Sequence, residues 1–391
     1  MREGRSFQGI YLVSEPATLI KGSGAYRHIE VGRKYLGKHF NLVFYPACNL
    51  PVSKSGKQVS IDRSSVPSKF KTLLKRLGLW HTIKDLKVLF DNHRSIYKHY
   101  KAIKKLSPDF IYERSSFLNF QGLIISKWLG IPHFYENNGI KYLEHQERVK
   151  TWLGWLWKYL EKRAYQKSDF VFFVGLWGDR INLSTKNWMN IENGIEQSFI
   201  DHFRGHKKEI TDKINICFVG SLMQHHGFSM LIKALKDMDT SSLHLHLIGS
   251  KLDTVATEIS PIIETTYHGF LDRADLAGLL EKMHVGIIPG GKEYPSFMKL
   301  FDYGAAKCLV IAPDLKNLRF WFSEDEIAFF EKGNVASLRN RMLWVLKNKD
   351  LIEEKGNKIY RKISASFVWD EIYGRKAAVI RRTIDAYEKA K

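Results

Sequence analysis

Nine short apolar runs, each followed by glycine or a polar turn and most by a helical pattern, recur along this chain: residues 9–13, 40–45, 110–112, 132–135, 169–174, 214–219, 243–248, 285–289 and 309–312. Runs this short cannot make independent helices. Their alternation with helical stretches predicts a mostly parallel α/β sheet. The runs form two series, separated by the charged, apolar-poor residues 201–213. The expectation is therefore two doubly wound domains, residues 1–200 and 214–368, with a last helical segment, 369–391, crossing back onto the first. At about 150 residues per domain, 391 residues suffice for two full cores.

Composition narrows the class. A hydrophobic content of 44% with 13% aromatic residues excludes a disordered chain. Cys48, Cys217 and Cys308 lie far apart, with no CxxC and no Cys/His ligand spacing, which excludes a disulfide framework or zinc finger and fits a reducing compartment. The first residues hold no apolar leader and no run reaches about 18 apolar residues. A soluble, cytosolic protein is expected.

The charge is strongly basic: 61 Lys and Arg against 41 Asp and Glu give a net +20, with a pI near 9.6. An anionic partner follows: nucleic acid, an acidic membrane face, or a phosphorylated or acidic substrate. Residues 52–105 carry 14 Lys/Arg against three acids, Asp62, Asp85 and Asp91, more than half of the excess. This block reads either as a solvated helical face or as a docking surface for anionic lipid headgroups on the inner membrane face, or for a charged glycan. Trp152, Trp155, Leu156 and Tyr159 recur at i, i+3, i+4 and i+7, and that face is expected in the core, with Trp157 pointing elsewhere. RRM, KH, OB and helix-turn-helix signals are missing, so a nucleic-acid-binding role rests on charge alone and nucleic acid is not the expected partner.

One stretch carries chemistry. The apolar run 285–289 ends in Pro289-Gly290-Gly291. Ser296 then offers an N-cap hydroxyl to a helix containing Leu300, Phe301 and Tyr303. The free N–H groups of its first turn form an anion site at the carboxyl end of a parallel strand. Lys299, in that turn, opposes the helix dipole at a cost of a few tenths to about 1 kcal/mol, which a bound diphosphate would offset. Asp302, one turn on, suits neutral hydroxyls such as a ribose diol. The pairs His225-His226 and His244/His246 lack supporting ligands and read as turn and strand-face residues, and no Asp-x-Asp signature is present.

In order along the chain stand Gly22-Ser23-Gly24, residues 108–114, Gly130-Ile131-Pro132 leading into Glu136-Asn137-Asn138-Gly139, Ile191-Glu192-Asn193-Gly194-Ile195, Gly220-Ser221 with Gly227, Leu247-Ile248-Gly249, Tyr267-His268-Gly269, and residues 295–306. This series, spread over most of the chain, resembles family 4 of the retaining nucleotide-sugar glycosyltransferases. The resemblance implies the GT-B fold: two facing Rossmann-like domains with a cleft between them, the first binding the acceptor and the second the donor. It places the second glutamate of the family's paired motif at Asp302, the ribose acceptor, and the first at Tyr294, so half of the motif is missing. It also implies that backbone N–H groups of Met298, Lys299 and Leu300, with Ser296, hold the diphosphate. His268, Gly269 and Phe270 would border the nucleobase, and Asn193 would lie on the donor side.

Gly220, Ser221 and His226 occupy the turns where many members place a diphosphate-clamping Arg and Lys, and Lys299 could restore one of these cations. Asn138 stands where many members have histidine. Lys299, Asn138 and Gly24 are the implied catalytic positions, with Gly22, Ser23 and Glu136 on the acceptor side. The implied reaction moves a sugar from a UDP- or GDP-linked donor to a hydroxyl of a lipid-linked or polysaccharide surface glycan, with no cofactor beyond the nucleotide sugar and no metal. A nucleotide-sugar epimerase of the same architecture, or a basic nucleic-acid-binding protein, is the alternative.

Overall fold

The computed structural model describes residues 6–19, 24–47, 68–210, 212–222 and 224–390. The chain divides into two compact units, residues 1–191 with 373–391, and residues 192–372. The first holds six parallel strands, β1 (Gln8–Val13), β2 (Asn41–Pro46), β3 (Phe110–Arg114), β4 (His133–Asn137), β5 (Phe170–Val174) and β6 (Trp188–Ile191), in the order β2-β1-β3-β4-β5-β6. The second holds β7 (Ile214–Val219), β8 (Leu243–Ile248), β9 (Glu264–Gly269), β10 (Val285–Ile287), β11 (Leu309–Pro313) and β12 (Ile327–Phe330), in the order β12-β11-β10-β7-β8-β9, again all parallel. Each sheet is the doubly wound α/β arrangement that the alternating runs predict. Parallel strands need crossover helices, which cover both faces, so central strands are apolar on both sides. In β7, Ile214, Ile216 and Phe218 enter one core cluster and Cys217 enters the other.

Three strands, β6, β9 and β12, were not expected from the sequence, and each is the edge of its sheet. The unit boundary also differs from the expected one. Ile195, Phe199, Ile200 and Phe203 are buried in the core of the second unit, and a bridge joins Ile195 to Val368, with Ile195 N–H donating to the Phe367 carbonyl at 2.9 Å. Residues 192–200 therefore belong to the second unit, and 201–213 is no free linker.

The aromatic face of residues 152–159 is reversed. Trp157 is 1% exposed and donates its indole N–H to Asp85 Oδ2 at 3.0 Å, whereas Trp152, Trp155 and Tyr159 are 66%, 68% and 55% exposed. The inward stripe of the helix Gly154–Lys167 is Trp157, Glu161, Ala164 and Tyr165, spaced i, i+4, i+7 and i+8. Two buried carboxylates select it. Asp85 meets the Trp157 indole, and Glu161 accepts the backbone N–H groups of Lys141 and Tyr142.

The helix Trp369–Lys389 supplies Lys376 to the first unit. Its ammonium, 2% exposed, donates to Glu136 Oε2 at 2.7 Å. Arg114 donates to Glu136 Oε1 at 2.9 Å, and Tyr112 donates its hydroxyl to Oε2. The two cations hold Glu136 far below the usual carboxylate range against the opposing effect of burial. A buried ion cluster is far costlier to break than to lack. Glu136→Ala strands two buried cations and is expected to cost about 3–5 kcal/mol, whereas Lys376→Ala leaves a balanced Arg114–Glu136 pair and costs less. Urea unfolding of the two variants checks the order, and equal losses would contradict it.

Candidate functional site

In the second unit the chain runs from β7 to β8 and β9 on one side, then returns through β10 to β11 and β12 on the other. The order thus reverses between β7 and β10, and ligands of such sheets bind beyond the carboxyl ends of the strands at that point. Tyr303, on the helix Met298–Ala305, ties the two ends together. Its hydroxyl accepts the Val219 N–H at 2.7 Å and donates to the Ile287 carbonyl at 3.4 Å. Gly286 makes room for it, since a Cβ there would sit 2.3 Å from the Tyr303 ring. Gly227, at φ +76°, lies so close that its Cβ would be 2.8 Å from the Pro289 carbonyl, so the loops after β7 and β10 pack directly on each other.

These loops enclose a cavity of about 310 Å³ lined by Gly220, His226, Ser296, Met298, Lys299 and Asp302, among others. Lys299, the second residue of its helix, extends its ammonium over the Phe218 ring, 4.0 Å from the centroid and beside Gly220. Among the described residues no carboxylate pairs with it. Burial pulls its pKa from 10.5 down to about 7. Met298 and Lys299, first in the helix, have no intrahelical partner for their backbone N–H groups. Cation and amides thus converge on one cavity.

Other expected positions depart in detail. Ser296 is not the cap: the helix starts after Phe297, and no side chain caps it. The Leu300 N–H is taken by the Phe297 carbonyl at 3.0 Å, and its side chain is core. His226 donates from Nδ1 to the Ser221 carbonyl at 2.8 Å, which fixes that tautomer, while burial and the nearby Lys299 lower its pKa to about 4. The exposed Ser221 fixes His226 through its carbonyl and does not itself line the cavity. His268 turns toward the sheet, its ring stacked on His246 with Nε2 3.0 Å from His246 Nδ1. Gly269 adopts φ +69°, and Phe270 is 75% exposed. Asn193, whose N–H donates to Glu192 Oε1, is buried and does not line the cavity.

Asp302 lines the cavity, with its Oδ1 held by Arg273 at 2.5 Å. Arg273 also bonds Glu196 and stacks 3.6 Å over the Phe199 ring. Sequence reasoning missed this residue. It is the first residue of the helix Arg273–Leu280, a cation at a positive helix end, the same signal that singled out Lys299. Glu192 was missed as well. Burial raises its carboxyl to about 7, opposed by neighbouring Ser296, the Asn193 N–H and Trp321.

In the first unit, Asn138 donates its side-chain amide to Glu136 Oε1 at 3.1 Å. Glu136 is filled by four donors from its own unit and is corrected from an acceptor contact to an internal counter-ion. Gly24 begins the helix Gly24–Leu36, and Gly22 and Ser23 lie outside the described residues. A larger, open recess of about 670 Å³ around His206, Asn215 and His284 sits at the opposite, amino ends of β7 and β10. Among the described residues no three His, Cys, Asp or Glu side chains are grouped to hold a metal ion.

Residues 200–362 match the family described as glycosyl transferases group 1. A search of curated proteins finds no match. Among solved structures, the chain is similar to a sucrose-phosphate synthase of Thermosynechococcus elongatus (TM-score 0.70, 14% identity, 97% of this chain and 100% of that one). It is also similar to Anabaena HepE in complex with UDP and glucose (TM-score 0.65, 12% identity, 96% and 100%) and to the lipopolysaccharide outer core galactosyltransferase WaaB (TM-score 0.69, 12% identity, 96% and 99%). The chain has the GT-B fold, and its residues 200–362 are similar to the glycosyl transferases group 1 family.

Proposed function

We propose that this protein is a retaining glycosyltransferase of the family 4 type that moves a sugar from a UDP- or GDP-linked donor to a hydroxyl of a lipid-linked or polysaccharide surface glycan. The observation that carries the reading is the ammonium of Lys299, set in a cavity at a helix start and paired with no carboxylate among the described residues. A donor diphosphate supplies the missing negative charge, and the Met298 and Lys299 amides complete its binding. The HepE structure, which contains UDP, and the galactosyltransferase WaaB support the donor and acceptor classes.

In the reaction the bond from the sugar carbon to the leaving phosphate oxygen breaks. The acceptor oxygen bonds to that carbon on the same face, and the departing phosphate takes the acceptor proton. Lys299 neutralises the charge that grows on the phosphate, where it is most effective in a site partly closed to water. Asp302, oriented by Arg273, accepts the ribose hydroxyls through its remaining oxygen. The counter-charge to the diphosphate comes from Lys299 and the helix amides, without a metal. Asn138 and the segment at Gly24 are assigned to the acceptor side.

A thermal-shift panel of UDP, GDP, CDP and their sugars tests the donor. One nucleoside diphosphate should stabilise the chain by about 2.7 kcal/mol at 100 times its Kd, and no response to any of them would sink the reading. With the matching nucleotide sugar, Lys299→Ala should reduce kcat strongly while Asp302→Ala mainly raises KM. Release of the epimerised sugar without an acceptor would instead indicate the epimerase.

The pH dependence has two opposite signs. Lys299 titrates near 7 in the fold and near 10.5 when unfolded, so the unfolded chain binds more protons between those values. Its contribution to stability therefore rises with pH across that window. A bound diphosphate raises the pKa again, so binding takes up a proton above pH 7. Nucleotide-induced stabilisation should then shrink from about pH 7 to about pH 9. Lys299→Met should be more stable than the parent without nucleotide and lose the nucleotide response. Thermal denaturation over this range reads both effects.

A further inference from the structure

The turn that follows β4 is tied down at both ends. Asn137, the last residue of β4, accepts the Gly139 N–H at 3.0 Å through its side-chain oxygen, so that side chain spans Asn138 as an Asx turn. Its amide nitrogen donates to the Tyr165 hydroxyl, which donates in turn to Glu161 Oε1. Glu161 also accepts the N–H of Lys141 at 2.9 Å and that of Tyr142 at 2.7 Å, the first two amides of the helix Lys141–Arg148. Those amides lack partners within their own helix, and Ile140, in the capping position, has no polar side chain to meet them. One helix, Gly154–Lys167, thus holds residue 137 through Tyr165 and residues 141–142 through Glu161, two side chains one turn apart.

Asn137, Glu161 and Tyr165 are buried, as is every residue from Pro132 to Ile140 except Asn138. The clamp therefore presents one side chain. Asn138 donates its amide nitrogen to Glu136 Oε1 at 3.1 Å. Arg114 and Lys376 keep Glu136 ionised, and an ionised carboxylate only accepts hydrogen bonds, so the NH2 of Asn138 must face it. That fixes the amide's orientation and leaves Oδ1 with no partner among the described residues. A helix start needs only one capping side chain. This network uses three buried ones instead, and a fully bonded network admits one geometry. What it over-determines is the position of residue 138.

We propose that Glu161 and Tyr165 are positioning residues for sugar transfer, holding the turn 137–142 so that Asn138 offers its amide oxygen to a substrate hydroxyl. They act from behind the turn and do not themselves meet substrate. The assignment rests on the transfer reading and on the place of Asn138 in it. It adds a requirement which that reading does not contain: turnover depends on a chain of hydrogen bonds running away from the substrate into the helix Gly154–Lys167. A displacement of about 1 Å at a group that meets substrate can cost about a hundredfold in rate, so the loss of one bond behind Asn138 is readable.

The test is a double-mutant cycle on the full chain. Turnover is read as nucleoside diphosphate released from the nucleotide sugar selected by the thermal-shift panel, with water taking the sugar. Tyr165→Phe removes a single oxygen and should lower kcat about tenfold with the donor KM unchanged. Asn138→Ala should lower kcat at least as far, and adding Tyr165→Phe to it should then cost nothing further. Glu161→Gln sets an NH2 against a helix amide and should lose more than Tyr165→Phe; where it fails to fold, Tyr165→Phe alone closes the cycle. The nucleotide-induced thermal shift, read from the cavity of the other unit, should stay at the parent value and shows that each variant is folded. A parent-like kcat for Tyr165→Phe would overturn the positioning role. So would losses that multiply in the double variant, or a parent-like kcat for Asn138→Ala. With the nucleotide shift intact, any of these leaves the transferase reading standing. A parent that releases no nucleotide from any of the sugars ends that reading, and the positioning role with it.

Discussion

A parallel sheet delivers every strand's carboxyl end to the same edge, and in each sheet here the strand order reverses once at that edge. No crossover covers the gap at the reversal, so side chains from different loops converge there. In the second unit the gap lies between β7 and β10. The hydroxyl of Tyr303 holds it open by bonding both strand ends, and the glycines at 220, 227 and 286 let backbone and ring approach without obstruction. The position of Lys299 follows from this frame. Its helix starts where the β10 loop ends, and its ammonium lies over the Phe218 ring, beside Gly220, at the cavity.

The central strands could be read from the sequence because they are buried on both faces and appear as plain apolar runs. Of the four edge strands only β2 was legible, as the run 40–45. β9, Glu-Thr-Thr-Tyr-His-Gly, is half polar because one side of an edge meets solvent, and β6 and β12 are only four residues long. The anion site was visible because a glycine-rich turn followed by a helix start is a local feature, and a lysine in that turn is locally unfavourable. Arg273 shows the same local sign but acts on Asp302 from 29 residues away, a contact that exists only after folding. Ser296 shows the limit of capping rules, since a hydroxyl in the right type of turn lies one residue too early.

The tryptophan segment failed for a related reason. Periodicity identifies a face of a helix but not which face is buried. At residues 152–159 two faces carry aromatic residues, and the choice is made by Asp85 and Glu161, buried acids that need donors. Trp157 brings an indole N–H to the first of these. The other stripe also carries indole and hydroxyl donors, but only Trp157 shares a helix face with Glu161, so one turn of the helix serves both buried acids.

The two units treat buried charge at equivalent places in opposite ways. In the first, near the reversal between β1 and β3, Arg114 at the end of β3 and Lys376 from the returning helix close on Glu136, and the neighbouring Tyr112 and Asn138 fill its remaining lone pairs. Each charge in that cluster has an opposite partner within bonding distance, and the cluster fastens the last helix to the first sheet. In the second, Asp302 is answered by Arg273, while among the described residues no carboxylate answers Lys299. A fold selected for stability alone would place a neutral side chain at position 299, because a half-buried ammonium over an aromatic ring recovers only part of its lost hydration. The imbalance has a physical sense if the balancing charge arrives from outside, and its location at a helix start, where amides also seek an anion, suits the diphosphate of the proposed donor.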